Sequence, residues 1–142
     1  MTTRREHILD AVKTALAGTA SVGTKIYRSR VTAFTRAESP ALLITWSGDA
    51  ASQETSLATL DWNLDISIAC IVRGETPDEV ADPIVESLHQ KIMADVTLGG
   101  YAMDVIPTGT SNESFDSDQP SGVITSTYQI KYRTLNNNLA SV

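Results

Sequence analysis

A single cysteine, Cys70, and two histidines, His7 and His89, leave little material for redox, disulfide or metal chemistry in this 142-residue chain. One thiol cannot close an intrachain disulfide. Neither histidine has a second His or Cys at the i+4 or two-residue spacings that build transition-metal sites. Cations are scarce too: 11 Lys and Arg against 17 acids give a formal net charge of −6. That balance excludes a protein that wraps nucleic acid by neutralising phosphates, which requires clustered Lys and Arg. Long apolar runs are missing, none approaching the roughly 18 to 20 residues of a membrane span. The N-terminal segment, interrupted by Glu6 and Asp10, lacks the continuous apolar core of a signal peptide. A soluble protein made in a reducing compartment, with no membrane partner, is expected.

What remains is the composition of one globular domain, 42% hydrophobic and 20% charged, long enough to bury a core without disulfide or metal support. Thr3 and Glu6 have capping-box spacing, and Ile8, Leu9, Val12, Ala15 and Leu16 share a face, which predicts a helix over about 4–17 ended at Gly18. Residues 25–31 alternate basic with apolar or small residues, as an edge strand does. The apolar run Ala41 to Trp46 reads as a central strand covered on both faces. Polar residues 47–56 read as a loop. From Leu60 to Val72 the even positions are apolar, with Asp61, Asn63, Asp65, Ser67 and Ala69 on the other parity, a long half-buried strand.

Thr76-Pro77-Asp78-Glu79 is a second capping signature. The helix it opens has Val80, Ile84, Leu88 and Ile92 as its apolar row, and Pro83 should bend it or mark a restart capped by Asp82. Gly99-Gly100 ends it, and a short strand over 101–106 stops at Pro107. Residues 109–122 are polar and turn-rich and read as a partner-ordered loop. Alternation returns over 123–133, and residues 136–142 read as a flexible tail. The order helix, strand, strand, strand, helix, strand, strand predicts one α+β domain over 1–135: a mostly antiparallel sheet with two helices packed on it.

No catalytic signature emerges. Gly18 to Lys25 has phosphate-loop glycine spacing, but it ends Thr-Lys and follows a helix, where a phosphate loop follows a strand and opens a helix. Cys70 and His89 are the one conceivable dyad, yet Cys70 falls on the apolar parity of its strand, where a thiol is a small hydrophobe. Asp116-Ser117-Asp118 lacks the glycine and terminal glutamate of a calcium loop. Asn112-Glu113-Ser114 matches the glycosylation triplet, but without a secretory signal it reads as chance. Asp61 and Asp65 lie roughly 13 Å apart on one strand face, beyond the roughly 5 to 9.5 Å of paired glycosidase carboxylates. They read instead as solvated or as subunit contacts.

Several segments in order carry a family resemblance: the N-terminal amphipathic helix, the strand and turn Ser39-Pro40-Ala41-Leu42-Leu43-Ile44-Thr45-Trp46-Ser47-Gly48, the alternating strand Trp62 to Val72, the helix opening Thr76 to Asp82, and the strand Tyr128-Gln129-Ile130-Lys131-Tyr132. Over about Ile8 to Arg133 the chain resembles the tail terminator proteins of long-tailed bacteriophages, of the minor tail protein U type. The resemblance implies a virion protein without enzymatic activity or cofactor, assembled in the host cytoplasm. It would form a ring, usually hexameric, at the head-proximal end of the tail tube, ending its polymerisation and offering a head-tail joining surface. Its partners would be further copies of itself, the tail-tube protein and the head connector or neck protein. DNA would pass through without specific binding, which an acidic chain suits.

A ring of this kind needs two different patches per subunit. The expected patches are basic Arg28, Arg30 and Arg36 against acidic Asp61 and Asp65, with Arg73 beside them. Asp49, Gln53 and Glu54 in one loop and Asp116 and Asp118 in the other are the expected tube- or connector-facing residues. Another neck or completion protein is the alternative within the structural class, and a small Cys70/His89 enzyme or ligand-binding domain the alternative outside it.

Overall fold

The computed structural model describes residues 2–28, 40–53, 58–115 and 121–141. Seven elements run in the order α1 (Arg4–Leu16), β1 (Ile26–Arg28), β2 (Ala41–Ser52), β3 (Thr59–Arg73), α2 (Pro77–Met93), β4 (Asp104–Phe115) and β5 (Ser121–Leu135). The strands form one sheet of order β1-β2-β3-β5-β4, antiparallel except for the β1–β2 pair. The fold is therefore α+β, as the pattern of periods predicts.

Both helices pack on the same face. The even positions of β3 (Leu64, Ile66, Ile68, Cys70 and Val72) and of β5 (Ile124, Tyr128, Ile130 and Tyr132) meet Ile8, Leu9, Val12 and Leu16 of α1 and Ala81, Ile84, Leu88 and Ile92 of α2 in one buried cluster. Each fully buried Leu or Ile contributes about 1.5–3 kcal/mol by leaving water. Val80, expected in the α2 row, is 42% exposed. Ala81 takes the inward place, one residue round the helix.

The capping expectation for α1 holds in part: the Glu6 amide donates to Thr3 Oγ1 at 3.3 Å. The Glu6 carboxylate turns instead to Arg28 at 2.9 Å, a stronger, charge-assisted acceptor role. Thr76 makes no side-chain cap to α2, and Pro77 begins that helix. Pro83 lies within a single helix, so α2 neither restarts nor is recapped at Asp82.

Three expectations about loops are corrected. Residues 47–52 continue β2 rather than forming a loop, and only residues 54–57 of that stretch lie outside the described residues. Residues 109–115 and 121–122 extend β4 and β5 as a hairpin, so the expected short strand over 101–106 is in fact a 12-residue strand running from Asp104 through Pro107. Pro107 is tolerated because β4 lies at the sheet edge and the register shifts just after it. The segment after β5, expected to be a free tail, makes backbone hydrogen bonds from Arg4 N to Leu139 O, Leu135 N to Ser141 O and Asn136 N to Ala58 O. These tie it to α1 and to the β3 entry.

The run Ala41 to Trp46 is not covered on both faces throughout: Leu43 and Thr45, on the face away from the helices, are half-buried, and Trp46, on the helix side, is 41% exposed. The second face of the sheet carries no helix among the described residues.

Candidate functional site

The face away from the helices is built by the odd positions of the two longest strands. Asp61, Asn63, Asp65, Ser67 and Ala69 of β3 stand opposite Arg133, Lys131, Gln129, Thr127 and Thr125 of β5. All are half-buried or exposed, a polar, hydrogen-bonding surface in the middle of the sheet.

One charged pair on this face is engaged within the chain. Arg133 Nε donates to Asp61 Oδ1 at 2.6 Å and its Nη2 to Oδ2 at 3.3 Å, a two-pronged pairing. The guanidinium holds the Asp61 carboxyl below its ordinary range, and the carboxylate raises Arg133. Asp65 is exposed, opposite Gln129 and next to Gly48. Arg73 ends β3 opposite Ser121.

Arg28 is engaged elsewhere. It reaches Asp10 Oδ1 at 2.6 Å and Glu6 Oε2 at 2.9 Å, clamping β1 to α1 on the opposite side of the sheet from Asp61. The structure thus gives Arg28 and Asp61 separate partners within the chain. Arg30, Arg36, Glu54, Asp116 and Asp118 lie outside the described residues.

Asp49 and Gln53 diverge from the expected loop. Gln53 follows the end of β2 and is exposed. Asp49 points inward: a register shift between Trp46 and Gly48 turns it to the helix side opposite Leu64. Its side chain is 4% exposed. There it accepts a very short hydrogen bond from the Tyr132 hydroxyl and one from Arg5 Nη1 at 3.4 Å. Burial pushes the Asp49 carboxyl up while Tyr132 and Arg5 pull it down, and the net shift is upward. Tyr132 is raised by burial and by the facing carboxylate. Arg5 lies over the Trp46 ring, 4.4 Å from its centroid, so Trp46, Arg5, Asp49 and Tyr132 form one chain of contacts linking α1 to the sheet. Nothing in the sequence flags this cluster, because the parity break that turns Asp49 inward leaves no hydrophobic mark.

The conceivable dyad does not form. Cys70 is fully buried, and burial pushes its thiol up to about 12, the opposite of nucleophile activation. His89 on α2 shares a 2.9 Å hydrogen bond between Nδ1 and the Tyr128 hydroxyl and stacks on that ring. The glycine pair after α1 is a turn: Gly18 and Gly23 have φ of 82° and 62°, and the Thr19 hydroxyl donates to Leu16 O at the helix end. Among the described residues no group of His, Cys, Asp or Glu side chains is arranged to hold a metal ion, and no helix is long and apolar enough to cross a membrane.

Sequence reasoning missed a groove. It lies between α2 and the β4 edge, has a volume of about 550 Å³, and is lined by Asp82, Val85, Glu86, His89, Pro107 and Tyr128 among others. It continues toward the start of α2 past Asp78 and Asn112. Its lining mixes Val85, Pro107 and Tyr128 with the acids Asp82 and Glu86 and several hydroxyl residues. The spacing of Asp78, Asp82 and Glu86 at i, i+4 and i+8 was the available signal, since it aligns three acids on one helix flank. No protein-family model matches the chain, and no curated protein matches it significantly in sequence.

Proposed function

We propose that this chain is a ring-forming subunit that caps the head-proximal end of a phage tail tube, ends its polymerisation and offers the joining surface to the head connector. The resemblance in segment order described above motivates the reading. The observation that supports it most is the bare sheet face. Two 15-residue strands present a face, polar from Asp61 to Ser67 and from Thr125 to Arg133 and apolar at Ala69, Ile71 and Val123, that no helix of the described residues covers, while the opposite face packs against both helices. A surface of Ser, Thr, Asn and Gln with one ion pair and an apolar end suits contact with another protein more than chemistry, and the one thiol is sealed in the core.

Mixing the purified protein with polymerising tail-tube subunits tests the reading, with tube lengths measured by negative-stain imaging. Capping shortens and narrows the length distribution at substoichiometric amounts and places density at one tube end. Unchanged tube lengths refute the proposal, and binding to the connector protein without any to the tube assigns the chain to the neck instead.

A further inference from the structure

The groove between α2 and the edge strand β4 has a regular spacing of its own, and we infer that it binds an extended segment of another protein carrying Lys or Arg at alternate positions. The segment lies alongside β4 as an added strand, with its cations turned to the acids of α2. The inference goes beyond the capping proposal and does not rest on it.

α2 packs mainly on β3 and β5, which leaves the helix side of β4 uncovered. Pro107, Thr110 and Asn112 on that side are exposed. The groove has His89 and Pro107 at one end and Asp78 and Asn112 at the other, so it runs along the helix and the strand together. The rise of α2 from Asp78 to His89 is about 17 Å, room for about five residues of extended chain.

The strand that walls the groove offers its backbone. β4 pairs with β5 alone, and no strand lies on its outer side among the described residues. From Thr110 to Ser114 it has neither Lys nor Pro, two residues that close natural sheet edges. Strand addition to such an edge draws affinity from main-chain hydrogen bonds and specificity from sites for alternate side chains.

The helix wall supplies those sites. Asp78, Asp82 and Glu86 stand about 6 Å apart in succession along α2, and alternate side chains of an extended strand stand about 6.6 Å apart, so the two repeats stay in step over all three acids. Each acid is exposed, and none forms an ion pair or hydrogen bond with another described residue. Lys91, the cation of α2, points away to Gly18 in the turn after α1. Val85, Pro107 and Tyr128 give the aliphatic stems of Lys or Arg an apolar bed. Ser126 marks the site independently: it lines the groove at 4% exposure, and its hydroxyl has no hydrogen-bond partner among the described residues. Buried hydroxyls are ordinarily satisfied, and a chain bound in the groove supplies the partner.

The test uses the full chain and a capped, fluorescein-labelled probe peptide, Thr-Lys-Val-Lys-Val-Lys-Thr, titrated by fluorescence anisotropy at low salt with protein up to about 1 mM. The probe binds, and Asp82→Asn/Glu86→Gln weakens it about two- to thirtyfold through the loss of two exposed charge pairs. Thr110→Lys, which places a cation inside the groove, weakens it likewise. All three positions are exposed, and far-UV circular dichroism confirms that the variants fold. Of two further probes, N-methylated on the lysine amides or on the valine amides, one binds and the other does not, because alternate residues of an added strand turn their N–H groups to β4. No binding by the wild type, binding that both sets of substitutions leave unchanged, or equal affinity of the two methylated probes overturns the inference. Self-association of the chain that Thr110→Lys abolishes overturns it too, by giving the groove to a second copy.

Discussion

Replacing Tyr132 with Phe removes one oxygen and leaves the ring, its burial and its stacking on Trp62 at 6.1 Å intact. The loss falls on Asp49, whose side chain is nearly sealed and whose Oδ1 has no hydrogen-bond partner. Only Arg5 at 3.4 Å then holds the carboxylate. A hydrogen bond to a charged group contributes about 1.5–3 kcal/mol, and a neutral one about 0.5–1.5 kcal/mol. Tyr132→Phe therefore costs about 1.5–3 kcal/mol at pH 7. With an unfolding entropy of about 0.3 kcal/mol/K for a chain of this length, the melting temperature falls by about 5–10 °C.

The pH dependence identifies the cause. Burial places the folded-state pKa of Asp49 above its ordinary value of 3.8, so across that interval the folded state binds more proton than the unfolded one. Its contribution to stability rises as pH falls through the folded pKa and declines as pH rises. Removing the Tyr132 hydroxyl moves the folded pKa further up, because that hydrogen bond lowers it. The variant thus recovers part of its deficit on acidification, and the gap to wild type narrows toward the neutral hydrogen-bond figure of about 0.5–1.5 kcal/mol. Urea denaturation of both proteins at pH 7 and pH 4.5, at one ionic strength, reads the gap as a difference in which the other carboxylates cancel. A gap that is unchanged or larger at pH 4.5, or smaller than about 0.5 kcal/mol at pH 7, refutes the account of Asp49 as a buried, hydroxyl-supported carboxylate.

Other substitutions probe other links. Cys70 should react with an aromatic disulfide reagent at neutral pH only as fast as the chain opens, and reaction on mixing would restore the enzyme alternative. Cys70→Ser buries a hydroxyl in an apolar row and costs about 1–3 kcal/mol by urea titration. A Cβ at Gly122 would lie 2.6 Å from Pro77 Cβ, so Gly122→Ala forces β5 and the start of α2 apart and lowers stability by about 1–3 kcal/mol; an unchanged denaturation midpoint refutes that contact. Asp61→Asn breaks an ion pair at a partly exposed position and should cost no more than about 1 kcal/mol, less at high salt. A larger loss would assign Asp61 a structural role that its surroundings do not indicate.

The legible parts of the sequence are those where a single period runs unbroken against a single surface. β3 from Leu64 and β5 from Ile124 alternate in burial because each contacts a strand on both sides and helices on one face. α1 was legible for the same reason, its row of Ile8, Leu9, Val12 and Leu16 facing the core. α2 was legible up to one residue of rotation at Val80. The ion pairs of Arg28 and Asp61 were not, because a charge on a surface strand gives no sign of whether its partner belongs to the same chain.

The misread strands share a physical cause. Each carries a one-residue register shift, at Ser47 in β2 and at Thr108 in β4, and a shift of one residue exchanges the two faces of a strand. Before the shift, Leu42, Ile44, Val105 and Pro107 face the helices. After it the helix side is taken by Asp49 and Ala51 in β2, and by Thr110, Asn112 and Ser114 in β4. The apolar alternation therefore stops where the strand does not, and polar residues read as loop. In β4 that half lies at the edge of the sheet. A strand that need not bury apolar side chains is free to be polar, and its outward backbone N–H and C=O groups remain available to another strand. The stretches that look least structured in the sequence are in this way the continuations of two strands past a change of face.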